Sequence, residues 1–239
     1  MAYTSTGLVK HAQAALKDKT KYMWGGIYRP ITDTYVNQLA KMYPTQYPSS
    51  RQAKLKALPD GYYGVDCVGL IKSYYWSGKA NGGKGSPKYS GSSDVNAHGM
   101  FAKAKEKGTI TTIPELPGII VYSKTHPHVG VYIGNGYVIE STLGSRGDGV
   151  VKTKLKDWSG WEYWFKCPYI TYPAKATSSI KVGDTVRVIG GATDYNGKRL
   201  ASFVYKQKYT VMQVDKDRVV IGQNGVITAA VHKKYLSEV

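Results

Sequence analysis

Cys67 is the residue of this chain best placed for nucleophilic chemistry. It follows a turn at 61–64 and begins an apolar run with helical spacing, which predicts that it lies in the first turn of a helix. Unpaired backbone N–H groups and the positive end of the helix dipole favour a thiolate there, so we expect a lowered thiol pKa. The same N–H groups can stabilise a developing oxyanion. The alternative is that Cys67 is a small buried hydrophobe, which is the commonest role of a lone cysteine.

A nucleophilic cysteine needs a base, and His128 is the best candidate for it. Strand alternation in the run 128–133 puts His128 on one face and the apolar residues Val129 and Val131 on the other. The apolar face is expected to pack against the core. We therefore expect the imidazole of His128 to point away from that core.

Whether Glu140 can orient His128 depends on the loop between their two strands. A three-residue loop, 134–136, with Gly136 in the left-handed conformation places Glu140 on the His128 face, one diagonal step away. A two-residue Asn-Gly turn shifts the register by one residue and sends Glu140 to the opposite face. With the first loop, Cys67 attacks a carbonyl, His128 takes and returns the proton, and Glu140 fixes the imidazole.

The remaining cysteine and histidines carry weaker signals. The segment His126-Pro127-His128, together with two cysteines, also fits a zinc site, because imidazole and thiolate are zinc ligands. Cys67 has no CxxC partner, however, so we expect no metal. Cys167 follows an aromatic run, which favours packing over catalysis. Three other histidines are expected to be ordinary surface residues: His11, His98 and His126.

The charge of the chain points to a polyanionic partner. Its 239 residues contain 33 Lys and Arg against 16 Asp and Glu, a formal charge of +17. Nucleic acid, an anionic membrane and the teichoic-acid-bearing wall of Gram-positive bacteria all qualify. With 42% hydrophobic and 21% charged residues, the composition excludes collagen-like, coiled-coil and wholly disordered proteins.

Nothing in the sequence predicts a membrane segment. The longest uninterrupted apolar runs, such as 119–122, fall far short of the roughly 20 residues that cross a bilayer. Residues 1–10 lack the basic stretch followed by an apolar stretch that is typical of a signal peptide. We expect a protein that does not insert into membranes. If it acts outside its cell, we expect that another agent releases it.

A change of character near residue 173 predicts two domains. Residues 1–172 mix helices and strands, 173–179 read as a linker, and 180–239 form a small all-β domain. In the all-β part, five short strands in about 60 residues favour a closed barrel. These strands are predicted at 185–189, 203–205, 209–214, 218–222 and 226–230.

The mixed part supplies the elements that must position the candidate residues. It opens with an amphipathic helix over 6–17, and two short helices follow with Thr32 and Ser50 as N-caps. Gly78–Ser93 is a long polar loop, after which Ser93 or Asp94 is expected to cap a further helix. The last predicted elements are strands at 119–123, 128–134 and 137–141.

Three ordered motifs carry a family resemblance. Tyr-Met-Trp-Gly-Gly at 22–26, Asp-Cys-Val-Gly-Leu at 66–70, and the hairpin segments 128–134 and 138–141 resemble those of NlpC-type papain-like cell-wall peptidases. The resemblance covers roughly residues 5–170 and is closest to phage endolysins. It implies a papain-like α+β fold with a central antiparallel sheet and no cofactor. The implied activity is hydrolysis of the peptidoglycan stem peptide, typically between γ-D-glutamate and the following diamino acid.

The resemblance also assigns roles to single positions. It implies that Cys67 is the nucleophile, His128 the base and Glu140 the third member. It further implies that three residues beside the nucleophile bind substrate: Tyr22, Trp24 and Asp66.

The sequence departs from the family pattern at three places. Val68 stands where the family usually has Ser, and Glu140 where it often has His. About forty residues, 27–65, separate the first motif from the second, and this insertion is expected to shape the substrate groove. The departures affect the prediction of the scissile bond, whereas the nucleophile and the base are both present.

Residues 174–239 resemble the bacterial SH3-like modules that bind cell walls. The expected partners are Gram-positive peptidoglycan and its anionic wall polymers, without nucleic acid, and the phage resemblance implies accumulation in the host cytoplasm until lysis. An N-acetylmuramoyl-L-alanine amidase of the same fold is an open alternative. A basic protein that binds nucleic acid or walls without catalysis is the alternative from another class, supported by 21 tyrosines and the positive charge.

Overall fold

The computed structural model describes residues 2–85, 87–173, 180–189 and 191–238. The chain divides into two compact units, Met1–Pro173 and Ala174–Val239. The predicted linker, 173–179, lies outside the described residues except for Pro173.

The first unit contains five α-helices and nine strands within its described residues. The helices are α1 (Ser5–Ala15), α2 (Asp33–Met42), α3 (Ser49–Lys56), α4 (Cys67–Tyr75) and α5 (Ala97–Lys103). The strands are β1 (Thr20–Tyr22), β2 (Ile27–Pro30), β3 (Tyr63–Val65), β4 (Lys107–Thr109), β5 (Ile120–Ser123), β6 (His128–Gly134), β7 (Tyr137–Gly144), β8 (Gly147–Lys154) and β9 (Tyr163–Phe165). In the described part of the chain, no helix has the length and apolar character needed to span a bilayer.

A six-stranded antiparallel sheet forms the centre of the first unit. Its strand order is β4-β9-β5-β6-β7-β8. A separate three-stranded sheet of the same unit has the order β1-β3-β2. The mixed class and the central antiparallel sheet therefore agree with the predicted α+β architecture. The three predicted strands 119–123, 128–134 and 137–141 are present as β5, β6 and β7.

Both faces of the central sheet are covered. On one face, buried residues of α1 and α4 such as Leu8 and Ile71 share a core with Val129 and Val131 of β6. On the other face, Trp161 belongs to a second cluster that contains residues of β5, β6 and β7. The alternation predicted for β6 is present, but the face that carries His128 is also packed.

The insertion 27–65 has a small core of its own. Val36 and Leu39 of α2 and Leu55 of α3 are buried together with Met23 and Tyr47. The predicted N-cap of α2 is confirmed, since the side chain of Thr32 accepts a hydrogen bond from Tyr35 N.

Two other predicted helix starts are wrong by a few residues. Helix α3 begins at Ser49 after Pro48, so Ser50 is not its N-cap. Helix α5 is capped by Asn96, whose Oδ1 accepts from Gly99 N at 2.7 Å. Ser, Asp and Asn cap helices about equally well, so composition alone does not choose among neighbouring candidates.

The second unit is an antiparallel sheet within its described residues. Its strands are β10 (Thr185–Val188), β11 (Lys208–Asp215), β12 (Arg218–Gln223), β13 (Val226–His232) and β14 (Leu236–Glu238), in the order β13-β12-β11-β10-β14. Four of the five predicted strands are present. The SH3-like barrel stays a prediction.

The predicted strand at 203–205 is wrong, because Ser202–Tyr205 forms a 3-10 turn. Val204 is buried, Phe203 is 52% exposed, and Tyr205 donates its hydroxyl to Ala192 O at 2.7 Å. Three consecutive apolar residues are too few to define a period, so a turn with one buried residue is indistinguishable from a strand in sequence.

Candidate active site

Asp66 fixes the start of the helix that carries Cys67. Its Oδ1 accepts from Gly69 N as the N-cap of α4, and its Oδ2 accepts from Gly25 N at 2.7 Å. One carboxylate thereby joins the motif around the cysteine to the motif at 22–26. Burial raises the pKa of Asp66 although its backbone donors act in the opposite direction. The structure places Asp66 as a helix cap, and its role in substrate binding stays a prediction.

Cys67 lies in the first turn of α4, as the helical spacing predicts. Its thiol is buried, and burial, followed by the nearby Asp66, raises the thiol pKa to about 12. Backbone N–H groups of Val129 and Val68 oppose this increase without overcoming it. The expected lowering of the thiol pKa is therefore wrong for the free protein, because desolvation outweighs the helix N-terminus. Cys67 rests as a neutral thiol at pH 7.

The hairpin between β6 and β7 resolves the question of the Glu140 register. The loop is the two-residue turn, with Asn135 and Gly136 both at positive φ and Gly134 paired with Tyr137. A register shift between Tyr132 and Gly134 then adds one residue to β6. Beyond it the strands pair in the register that the three-residue loop predicts.

As a result, Glu140 lies on the same face as His128. His128 Nε2 and Glu140 Oε2 are 2.6 Å apart, and the carboxylate is completely buried. Because Nε2 is engaged by Glu140, Nδ1 is the ring nitrogen left to exchange a proton.

Two residues that the sequence analysis missed complete the environment of Glu140. Arg146 donates from Nε to Oε1 at 3.3 Å and from Nη2 to Oε2 at 3.1 Å, and Thr153 donates to Oε1 at 2.8 Å. Burial alone would raise the pKa of Glu140, but the hydrogen bonds from His128, Arg146 and Thr153 lower it below its usual value. Glu140 is therefore a carboxylate at neutral pH. Arg146 lies on the hairpin of β7 and β8, and no sequence pattern links it to Glu140.

Aromatic side chains hold the imidazole of His128 in place. Its ring stacks on Trp161 with centroids 5.5 Å apart and meets Trp158 edge-on at 5.7 Å. The guanidinium of Arg146 lies 3.9 Å from the centre of the Trp158 ring. The orientation of His128 is thus set by a carboxylate on one nitrogen and by two indole rings.

A groove opens at this site. A cavity of about 340 Å³ is lined by Tyr22, Trp24, His126, His128, Arg146 and Trp158, among others. Burial, followed by the nearby Cys67, raises the pKa of Tyr22, whose role in substrate binding stays a prediction. Trp24 is 44% exposed and can contact a ligand. Of the predicted residues, Tyr22, Trp24 and His128 line the groove, whereas Cys67, Asp66 and Glu140 are not among its lining residues.

No hydrogen bond joins Cys67 and His128 among those of the described residues. In ligand-free enzymes the bond between a nucleophile and its base is often long, and it tightens when substrate binds.

The described ranges contain no group of residues that could hold a zinc ion. No three His, Cys, Asp or Glu residues lie together there as a metal site would require. Cys167 is buried in the core, where its backbone N–H donates to the Tyr172 hydroxyl. His98 and His126 are exposed as predicted, but His11 is completely buried, so its expected surface position is wrong.

Comparison with known proteins gives distant structural likenesses. No family model and no curated protein matches the chain. The peptidoglycan hydrolase RipB from Mycobacterium tuberculosis is similar at 17% identity and a TM-score of 0.42, over 70% of this chain and 65% of that chain. The P60 domain of an antigen from M. avium subspecies paratuberculosis is similar at 16% identity and a TM-score of 0.38, over 68% and 96% of the two chains.

A variant of the resuscitation-promoting-factor-interacting protein RipA is similar at 20% identity and a TM-score of 0.36, over 68% of this chain and 61% of that chain. The matches thus span less than two thirds of RipB and of RipA. At these TM-scores the likeness assigns neither a family nor an activity to the chain.

Proposed function

We propose that this protein is a cysteine peptidase with a papain-like catalytic unit that hydrolyses the stem peptide of peptidoglycan. The observation that carries the proposal is the 2.6 Å contact between His128 and Glu140, beside the helix that begins with Cys67. A thiol, an imidazole and a buried carboxylate in this order are the parts of nucleophilic acyl transfer. The motif resemblance to NlpC-type enzymes supplies the substrate class.

The geometry supports a mechanism in which proton transfer accompanies attack. Because burial raises the thiol pKa to about 12, Cys67 passes its proton to Nδ1 of His128 as Sγ attacks the substrate carbonyl. Backbone N–H groups at the start of α4 stabilise the oxyanion. His128 then protonates the leaving amine, and water, activated by the same imidazole, hydrolyses the thioester and restores the thiol.

The scissile bond proposed is the one between γ-D-glutamate and the diamino acid. The test is digestion of purified Gram-positive peptidoglycan by the wild type and by Cys67→Ala, with the new ends identified by mass spectrometry. A new amino group on the diamino acid, absent with the variant, supports the endopeptidase. Free muramyl lactate with a new L-Ala amine would make the enzyme an amidase, and lysis by the folded variant would refute the thiol mechanism.

The second unit is proposed to be an SH3-like wall-binding module, which together with the catalytic unit would make the chain a phage endolysin. Residues 174–239 contain 11 basic and 5 acidic residues, a net charge of +6 that suits anionic wall polymers. Tethering raises the concentration of the catalytic unit at its insoluble substrate. Removal of residues 174–239 should weaken sedimentation with Gram-positive walls, and unchanged sedimentation would contradict this role.

Binding to nucleic acid is the competing explanation of the charge. Salt-sensitive binding to DNA or RNA of any sequence, together with no new ends on walls of several types, would favour that explanation. Retained wall cleavage would reject it.

A further inference from the structure

The insertion 27–65 is fixed firmly against the motif that lines the groove. Tyr47 donates its hydroxyl to Trp24 O at 2.8 Å, and Arg51 donates from Nη2 to Tyr22 O at 2.9 Å. With its own core, the insertion forms a rigid wall beside the groove instead of a loose loop. The insertion therefore contributes to the surface beside the groove, where the substrate is proposed to bind.

A second cavity lies between this wall and the hairpin of β7 and β8. It has a volume of about 620 Å³ and is lined by Lys21, Arg51, Lys54, Leu58, Leu143 and Asp148, among others. Tyr22, Gln46 and Leu143 line both this cavity and the groove with His128. The two spaces therefore adjoin, and a ligand in the groove can extend into the second cavity, here called the insertion cleft.

The insertion cleft carries an excess of positive charge. Lys21 is neutralised by Asp148 at 2.9 Å, and Asp148 also accepts from Tyr22 N at 3.1 Å. Arg51 and Lys54 have no carboxylate partner among the described residues. The Arg51 guanidinium lies over the ring of Tyr47 at 5.6 Å, and its Nε is buried without a hydrogen-bond partner among them.

A guanidinium and an ammonium that have no carboxylate partner among the described residues and line the same cleft favour an anionic ligand. A carboxylate binds such cations through charge-assisted hydrogen bonds. Arg51 is held by the ring of Tyr47 and the backbone carbonyl of Tyr22, and Lys54 lies on the same helix, α3. Two cations placed in this way suit a carboxylate better than a neutral amide.

We propose that the insertion cleft is a subsite that binds a carboxylate-bearing arm of the substrate, with Arg51 and Lys54 as its cations. The proposal rests on the proposed function, since it names a feature of the peptide cleaved at Cys67. Stem peptides in which the diamino acid is lysine, the kind used in the test, offer two such groups, the α-carboxylate of the γ-linked glutamate and the C-terminal carboxylate. The insertion is thereby the element that selects among peptides by charge.

The test compares three soluble stem peptides: one with both carboxylates free, one amidated on the glutamate and one amidated at the C-terminus. Each is cleaved by the wild type, by Lys54→Met and by the control Lys56→Met. Lys56 is exposed on the same helix and does not line the cleft. Because Lys54 takes no part in catalysis, its loss should raise KM about fivefold for the free peptide with kcat unchanged.

Amidation of the carboxylate that occupies the cleft should raise the wild-type KM and remove the effect of Lys54→Met, which identifies the group. Equal KM values for all three peptides, or equal behaviour of the two lysine variants, would overturn the subsite while the function stands. Failure of the wild type to cleave any peptide would instead refute the function. In that case calorimetry with Cys67→Ala decides the subsite, which is overturned if free and amidated peptides bind alike.

Discussion

Two histidine–cysteine sets in the first unit, His128 with Cys67 at one side of the groove and His11 with Cys167 in the interior, differ in what surrounds them. At the groove, His128 bonds to the carboxylate of Glu140 and Cys67 begins a helix. In the interior, His11 is completely buried and Cys167 packs among apolar residues of the main core. Burial raises the thiol pKa to about 12 in both cases, so thiol acidity does not distinguish the two regions.

The hydrogen-bond partners of the two histidines distinguish these two places in the fold. His11 accepts from Gly83 N at Nδ1 and its Nε2 lies 2.9 Å from the Ser73 hydroxyl, so both ring nitrogens serve the fold. His128 keeps Nδ1 for proton exchange and lies at the edge of a groove. Under the proposed function, a carboxylate, a helix start and an open cavity distinguish His128 and Cys67 from His11 and Cys167, whereas residue type and the thiol pKa do not.

The sharpest test of this comparison exchanges one cysteine at a time. Cys67→Ala should lower wall cleavage more than about a thousandfold, because no other nucleophile is available. Cys167→Ala should retain activity and lose about 1 kcal/mol of stability through the space left in the core. Turbidity clearing and thermal melts measure the two effects, and inactivity of both variants would break the contrast.

Replacing Glu140 should give the next largest loss. Glu140→Gln removes the charge that stabilises and orients His128, so kcat/KM should fall about a hundredfold. His11→Asn is the matched change in the interior and should leave kcat/KM at the wild-type value. Tryptophan fluorescence confirms folding of the first unit, since all five tryptophans lie in residues 1–173. Full activity of Glu140→Gln would contradict the proposed role of the carboxylate.

His11 should make the first unit sensitive to mild acid. Burial lowers the pKa of His11 to about 4 from 6.5, so the unfolded chain binds the proton first as the pH falls. Stability present above pH 6.5 is therefore lost toward pH 4, by about 2 kcal/mol between pH 7 and pH 5. Urea melts followed by tryptophan fluorescence measure this loss. An equal pH dependence in His11→Asn would show that another group causes it.

Replacing Arg146 should have the smallest effect on kcat/KM, and this effect should be specific to the pH dependence. Arg146→Met removes hydrogen bonds that lower the pKa of Glu140, so the Glu140 carboxylate should take up a proton at higher pH than in the wild type. The acidic limb of the kcat/KM profile should move to higher pH by about one unit, with rates at high pH reduced less than about tenfold. Lys152→Met, on the neighbouring strand β8, is the control. An unmoved profile would mean that Arg146 acts only in packing.

The sequence predicts most of the groove's parts but not how they are held. The apolar spacing after Cys67 and the alternation around His128 are local patterns, so α4 and β6 were predictable. The register that brings Glu140 to His128 results from two features together, an Asn-Gly turn, which the sequence signals, and a bulge in β6, which has no signal of its own.

Contacts between distant segments were beyond a single sequence. The burial of His11 depends on Ser73 and Gly83, more than 60 residues away, and a lone histidine at helical spacing gives no sign of such partners. The cleft beside Arg51 likewise arises from packing between the insertion and the hairpin of β7 and β8. For the same reason the helical spacing around Cys67 predicts a lower thiol pKa than the buried thiol has, since burial is a tertiary property.

The bulge in β6 has a consequence for engineering the molecule. Because the Asn135-Gly136 turn and the extra residue before it together decide which way Glu140 points, adding or deleting one residue there reverses the side chain. Loop exchange between related enzymes must therefore preserve the number of residues in this hairpin. The long polar segment after α4 is constrained too, because Gly83 N donates to His11 and Trp76 donates to Ser93 Oγ at 2.8 Å, so an insertion there would disturb the core beneath it.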